Sequence, residues 1–255
     1  MTEKRVKAAV LLIGDELLSG RTQDVNLQTI AKFIAPLGVQ LGEARVVADV
    51  PEAIVAAVNE LRAKYDYVFT TGGIGPTHDD KTADAMAAAF GVSIDVRDDA
   101  RAILESAYKT GASLNEARLR MARTPIGAEL VPNPVSKAPG FQIGNVFVMA
   151  GVPSIMRGML MGVGPRLQGG AVVQARGVRA KGVREGDIAA PLEALENATN
   201  GAVQFGSYPW FGPDGYGLQL VARSSDEAAL AKAAEDLRAL IRSLGGEPED
   251  VEDAR

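Results

Sequence analysis

Residues 6–13 form a near-continuous apolar run, the pattern of a strand buried on both faces. Leu27, Ile30, Ala31 and Ile34 then recur at helical spacing until Pro36 and Gly38 end the run. Residues 39–47 read as a strand. A helix opens near Pro51 with Ile54, Val55, Val58 and Leu61 on its apolar face. Residues 65–71 give another strand, and Ala83, Met86, Ala87 and Phe90 mark the next helical face. This β-α-β-α-β-α alternation predicts an α/β fold with a parallel sheet and helices on both faces.

Further on, Ile103, Leu104, Ala107 and Tyr108 predict one face of a helix over residues 98–110, and Ser113 with Glu116 reads as a capping box for another. Residues 129–141 hold Pro132, Pro134, Pro139 and Gly140. They are expected to form a loop of fixed shape, not a helix or a central strand. Residues 141–143 and 146–149 read as a hairpin around Gly144-Asn145, followed by a helix opening at Gly151-Val152-Pro153. Met149, Met156, Met159 and Met161 are expected to fill the core.

The glycine-rich stretch 162–170 is the best boundary. It divides a first domain, 1–168, from a small α+β domain, 171–245, of β-α-β-β-α order. Its strands are expected at 172–181, 202–207 and 217–222, and its helices at 185–198 and 226–244. The aromatic patch at residues 206–212 is expected to be a hairpin connection. The acidic tail, 246–255, is expected to be disordered.

Composition narrows the chemistry. The 255 residues are 47% hydrophobic and 23% charged, ordinary for a globular protein. A net charge of -5 argues against nucleic acid as a partner. With no cysteine, thiolate metal sites, disulfides and cysteine nucleophiles are excluded, and a cytoplasmic location is expected. His78 is the one histidine and is expected to lie on an exposed loop. The basic start leads into an apolar run that Asp15 and Glu16 cut short, so neither a signal peptide nor a membrane span is expected.

The candidate chemistry sits in Thr71-Gly72-Gly73-Ile74-Gly75-Pro76-Thr77-His78-Asp79-Asp80-Lys81-Thr82, between a strand and a helix. Glycines allow a tight turn and close approach of a ligand to the main chain. A helix start favours an anion, but Asp79 and Asp80 would repel a bare phosphate. A phosphate carrying a divalent cation resolves the conflict, because hard cations take oxygen ligands from both. The plainer alternative is that Thr77 or Asp79 merely caps the helix. Gly14-Asp15-Glu16 follows the first strand, so a parallel sheet brings these acids to the edge that carries Asp79 and Asp80. Neither a Walker loop nor a dinucleotide fingerprint is present.

Gly14-Asp15-Glu16-Leu17-Leu18-x-Gly20, Asp24-Val25-Asn26 and the 71–82 motif together resemble the molybdopterin-binding (MoaB/Mog-like) domain in its CinA-type branch. Asn133-Pro134-Val135-x-x-Ala138-Pro139-Gly140-Phe141, Gly151-Val152-Pro153 and Ser207-Tyr208-Pro209 are similar to later motifs of that branch. The resemblance implies a three-layer α/β/α domain with a mostly parallel sheet. It also implies a ligand that is a nucleotide or pterin phosphate, and a homo-oligomer. CinA-type relatives hydrolyse the pyrophosphate of ADP-ribose or FAD with a divalent metal, whereas Mog-like relatives adenylylate molybdopterin.

On that resemblance, Asp79, Asp80 and Asp15 are expected to hold Mg, Mn or Co, and Lys81 to act beside Asp79 and Asp80 in catalysis. Lys137 would meet a phosphate. Asn26, Asn133, Thr82, Pro139, Gly140, Gly151 and Pro153 join Gly14, Asp15, Glu16, Thr71, Gly72, Gly73, Gly75, Pro76 and Thr77 in ligand binding. Four departures stand out: Ala150 where a proline is usual, Ile155 where a glutamate is usual, Lys137 where a small or hydroxyl residue is usual, and Ser136 where a glycine is usual. The open alternatives are a molybdopterin-binding or adenylyltransferase protein and a non-catalytic nucleotide-binding module. The separate nicotinamide-nucleotide deamidase domain of longer CinA-type proteins has no counterpart in these residues, and that activity is not expected.

Overall fold

The structure, a computed structural model, describes residues 5–108, 114–213 and 215–251. It contains two compact units, Met1–Gly170 and Ala171–Arg255. The first is built on strand β1 (Val6–Ile13), in which only Lys7 reaches solvent. Its alternating side chains serve two cores. Ala8, Val10 and Leu12 enter one, and Ala9, Leu11 and Ile13 enter the other.

After β1 come α1 (Asp15–Leu18), α2 (Asn26–Ile34), β2 (Val39–Val47), α3 (Pro51–Lys64), β3 (Tyr67–Thr71) and α4 (Thr82–Phe90). Next are β4 (Ile94–Val96), α5 (Asp98–Tyr108), α6 (Glu116–Leu119), β5 (Arg123–Pro125) and β6 (Glu129–Val131). The unit closes with β7 (Gly140–Ile143), β8 (Val146–Met149) and α7 (Pro153–Val163). Six strands form one sheet in the order β2-β1-β3-β8-β7-β6, with β2, β1, β3 and β8 parallel. Ile30 and Ile34 of α2 pack with Met156 and Met159 of α7 on one face, around the stacked rings of Phe69 and Phe147. Ile54, Val58 and Leu61 of α3 pack with Met86 of α4 on the other. The expected three layers are therefore present.

Parallel pairing puts the ends of β1, β2, β3 and β8 at one edge of the sheet. The hairpin adds a further loop there. Val131 pairs with Gly140 and Phe141 pairs with Val148, so the 132–139 connection lies beside the end of β8. Five chain segments thus converge on that edge.

Several expectations change. Residues 129–131 are an edge strand, and the proline loop is confined to 132–139. The three-residue strands β4 and β5 pair with each other and are too short to show a period. On α5, Ala100 and Leu104 are buried while Ile103 is exposed. Helix α6 is capped by the Asn115 side chain, which accepts from the Arg118 amide at 3.0 Å. Thr110, the expected end of the preceding helix, and Ser113, the expected cap, lie outside the described residues. Met149, Met156 and Met159 are buried, but Met161 is 65% exposed.

The second unit contains β9 (Gln174–Lys181), α8 (Glu185–Ala198), β10 (Gln204–Gly212), β11 (Gly215–Ser224), α9 (Glu227–Ser243) and β12 (Glu249–Val251). Its antiparallel sheet runs β10-β11-β9-β12 and packs Leu218 and Leu220 against Ile188, Leu230 and Leu237. The aromatic patch belongs to edge strand β10 rather than to a connection. Part of the tail is ordered as well. Strand β12 pairs with β9, and Glu249 and Asp250 meet Arg179 and Arg238 at 2.8 and 2.7 Å. Among the described residues no helix is long and apolar enough to cross a membrane.

Candidate functional site

The turn after β3 can be made only by glycine. Gly72 has φ 106°, and a Cβ there would lie 2.1 Å from the Ile13 carbonyl oxygen of β1. Gly73 has φ 66°, and its Cβ would lie 2.2 Å from the Thr82 hydroxyl. That hydroxyl donates to the Gly72 carbonyl at 2.9 Å, and the Thr82 amide donates to the Gly73 carbonyl at 3.0 Å. The buried Thr82 therefore clamps the loop from the first turn of α4.

Neither Thr77 nor Asp79 caps that helix, whose N-cap is Lys81. Instead Asp80 closes its own turn. Its Oδ2 accepts from the Thr77 amide at 2.8 Å and from the Thr77 hydroxyl at 2.6 Å. Asp80 is half-buried, whereas Asp79 and His78 are exposed.

A cleft of about 570 Å³ opens over this loop, a size typical of small-molecule sites. Gly72, Gly73, Gly75 and Pro76 line it together with Glu16 and Asp80. Asn133, Ser136 and Ala138 come from the proline loop, and Gly151 and Pro153 from the turn into α7. Tyr108 and Met121 also reach it from beyond the sheet, which the sequence reading did not foresee. Ala150 and Ile155, two of the departures from the family pattern, both line the cleft.

The largest omission in the sequence reading is Asp49. It lies two residues past β2 at the same sheet edge. Its Oδ2 accepts from the Asp15 amide at 3.0 Å, and its Oδ1 faces Gly73, whose absent Cβ would stand 3.4 Å away. Burial raises its carboxyl above the usual range, and the charges of Asp15, Glu16 and Asp79 raise it further against the lowering effect of the Asp15 amide. The signal for Asp49 was present in Ala48-Asp49-Val50-Pro51, an acid between a strand end and a helix start.

The two asparagines differ. Asn133 uses its whole amide to shape its own loop. It accepts from the Val135 and Ser136 amides and donates to the Ser136 hydroxyl and the Ala138 carbonyl, all within 3.1 Å. Asn26 donates to the Gly151 carbonyl at 2.7 Å and to the Thr71 hydroxyl at 3.5 Å, but its Oδ1 is buried with no partner among the described residues. It lines a smaller cavity of about 50 Å³ that shares Glu16, Gly151 and Pro153 with the cleft. An orphaned acceptor there suits a hydroxyl or N–H donor of a ligand.

Other expected residues fall elsewhere. Gly140 is a packing residue, because a Cβ there would meet the Val148 carbonyl. Gly14 leaves room for the folded-back carboxylate of Glu16. Lys81 and Lys137 do not line the cleft. Lys137 is exposed with φ 70° and donates its amide to the Asn133 carbonyl.

Asp79, Asp80 and Asp15 do not form a ready-made metal centre. Among the described residues no three His, Asp or Glu side chains gather closely enough to hold an ion. The donors still fit a hard divalent cation. Glu16 and Asp80 both face the cleft, and Mg²⁺ commonly takes one or two carboxylates, substrate phosphate oxygens and water rather than a protein cage.

Residues 9–169 match the family described as probable molybdopterin binding domain, and residues 180–245 match the middle domain of FAD synthase. The chain belongs to the first of these families, in its CinA-like branch. It is 38% identical to a CinA-like protein of Citrifermentans bemidjiense over 91% of this chain and 58% of that one. It is 35% identical to a CinA-like protein of Synechococcus sp. over 97% of this chain and 61% of that one. The chain thus spans about three fifths of those relatives. Among solved structures it is similar to the protein CinA of Thermoplasma acidophilum, described as of unknown function. The identity is 32% and the TM-score 0.60, over 64% of this chain and 99% of that one.

Proposed function

We propose that this protein is a metal-dependent nucleotide pyrophosphatase acting on ADP-ribose- or FAD-like phosphoanhydrides. The observation that carries this reading is the glycine turn at residues 72–75 on the floor of a cleft rimmed by Glu16 and Asp80, with Asp49 aimed at Gly73. The match of residues 180–245 to an FAD synthase domain supports a nucleotide substrate.

In this reading the phosphoanhydride lies on the 72–75 backbone; Glu16 and Asp80 would hold a divalent cation such as Mg, Mn or Co, which would supply charge neutralisation of the phosphates and a more acidic water. Asp80 and Glu16 hold the charged end of the cleft. Asp49, whose raised carboxyl makes it a better proton acceptor than an ordinary aspartate, takes the proton of the attacking water at Oδ1. The water oxygen bonds to phosphorus, the P–O–P bridge breaks, and AMP leaves together with the other phosphate ester. The orphaned Oδ1 of Asn26 accepts from a ligand hydroxyl or N–H.

The test is purified protein with ADP-ribose and FAD, with and without Mg, Mn or Co. AMP is the expected product, and its absence under every metal would remove the reading. Complementation of a strain lacking molybdopterin adenylyltransferase would then favour the pterin alternative, and ligand binding without turnover a sensing module. Self-association completes the proposal. It is supported by edge strand β10, where Phe211 is 84% exposed, and light scattering of the chain with and without residues 171–255 tests it.

A further inference from the structure

A recess of about 20 Å³ adjoins the cleft, room for one water molecule or one ligand oxygen. It shares Gly73, Gly75 and Asp80 with the cleft, and Arg120, Arg123 and Asp84 complete its wall. The two arginines are in different situations. Arg123 forms a two-pronged pair with Asp84, at 3.0 and 2.7 Å. Arg120 opens the 3-10 turn after α6 and is half-buried, and its main chain bonds within that turn, yet its guanidinium has no hydrogen bond or ion pair among the described residues. A guanidinium beside the recess with its five donors free of protein partners is available to an anion. Its planar fork matches phosphate oxygens.

The glycine turn lines the same recess through Gly73 and Gly75. Gly75 has no side chain there, and a Cβ would come within 2.7 Å of the Asp80 carboxylate. An oxygen in the recess would therefore lie among residues that include both the Gly73–Gly75 turn and Arg120. Asp84 is already neutralised by Arg123, so it does not compete for Arg120.

We propose that Arg120 is a positioning residue that grips a non-bridging phosphate oxygen and holds a phosphoanhydride against the glycine turn. This rests on the pyrophosphatase reading for its substrate, but its binding chemistry can be measured without turnover. Inorganic pyrophosphate is the probe, titrated calorimetrically into the full chain in magnesium buffer. Arg120→Gln is expected to weaken its binding roughly 10- to 100-fold, the range for a lost hydrogen bond to a charged group. Arg120→Lys should recover part of that loss. In the hydrolysis assay KM should rise more than kcat falls, and the thermal midpoint should be unchanged because no internal partner is lost.

Wild-type affinity in a folded Arg120→Gln protein overturns the inference, as does a wild type that binds no pyrophosphate. If Arg120→Gln proves unstable, the folded Arg120→Lys protein decides, and unchanged affinity together with unchanged KM overturns the inference. Binding that depends on Arg120 in a wild type releasing no AMP upholds this role and sinks the pyrophosphatase reading. AMP release with pyrophosphate affinity indifferent to Arg120 does the reverse.

Discussion

Two carboxylates on the same stretch of chain behave in opposite ways. Glu43, in the middle of β2, accepts from Lys64 at 2.8 Å, Arg45 at 2.6 Å and the Tyr65 hydroxyl at 2.9 Å. With Lys64 contributing most, these donors hold its pKa down to about 2. Asp49, just past the end of β2, lies among acids, and burial pushes its carboxyl up. The first arrangement stabilises the fold. The second leaves a partly buried carboxylate beside Asp15, Glu16 and Asp79, and carboxyls perturbed in that way cluster at functional sites. The second unit follows the Glu43 pattern, with Glu249 and Asp250 set against arginines.

The largest expected effect tests whether the rim is chemical at all. Asp79→Asn/Asp80→Asn keeps size and turn-forming capacity while removing two charges. AMP release at limiting metal should fall about 100-fold or more, and metal-free stability should stay within about 1 kcal/mol. Glu43→Gln should leave turnover unchanged. Wild-type turnover in the double variant would reduce Asp80 to a structural brace for Thr77.

A smaller effect separates imposed backbone geometry from mere permission. Gly72 and Gly182 both have positive φ, 106° and 74°. A Cβ on Gly72 meets the Ile13 carbonyl, whereas one on Gly182 meets nothing within 4 Å. Gly72→Ala should cost about 3 kcal/mol or more by urea denaturation, against about 1 kcal/mol for Gly182→Ala. Equal costs would mean that the turn after β3 relaxes and is not a rigid floor for a ligand.

How far the sequence reveals this rim depends on which interactions are local. The apolar run of β1 and the strand-glycine-helix turn of 71–82 show in pattern alone, because burial and φ leave periodic or compositional traces. The convergence of Gly14, Asp15 and Glu16 with the glycine turn follows from parallel topology. Asp49 was missed because its role comes from neighbours 34 residues before it and 30 after, not from its own surroundings in the chain. Arg120 was missed for the same reason; Met121 reaches the cleft from a three-residue turn without a period, and the helical period that places Tyr108 on α5 does not show that it meets the cleft. Asn133 was assigned a ligand role by resemblance, but the same residue type there satisfies a turn entirely from within.

The smallest effect takes the two carboxylates of the opening contrast directly, by melting metal-free protein across pH. Asp49 has a folded pKa above its unfolded value of about 3.9, so the folded state binds the proton more tightly. Ionising it penalises the fold. That penalty is complete at neutral pH and vanishes as pH falls through the raised value to the ordinary one. Asp49→Asn should therefore raise the melting temperature at pH 7, with the gain shrinking on acidification. Glu43 has the reverse sign. Its folded pKa of about 2 lies below the unfolded value of about 4.3, so its contribution is present above the ordinary value and lost as pH falls toward 2. Glu43→Gln should lower the melting temperature at pH 7 and converge on the wild type across that window. Added Mg²⁺ with a phosphoanhydride should reverse the ranking of wild type and Asp49→Asn, because the bound cation turns the penalty of a crowded carboxylate into an attraction. If Asp49→Asn instead melts lower at neutral pH without metal, Asp49 has a cationic partner from its own chain in solution, and the contrast with Glu43 collapses.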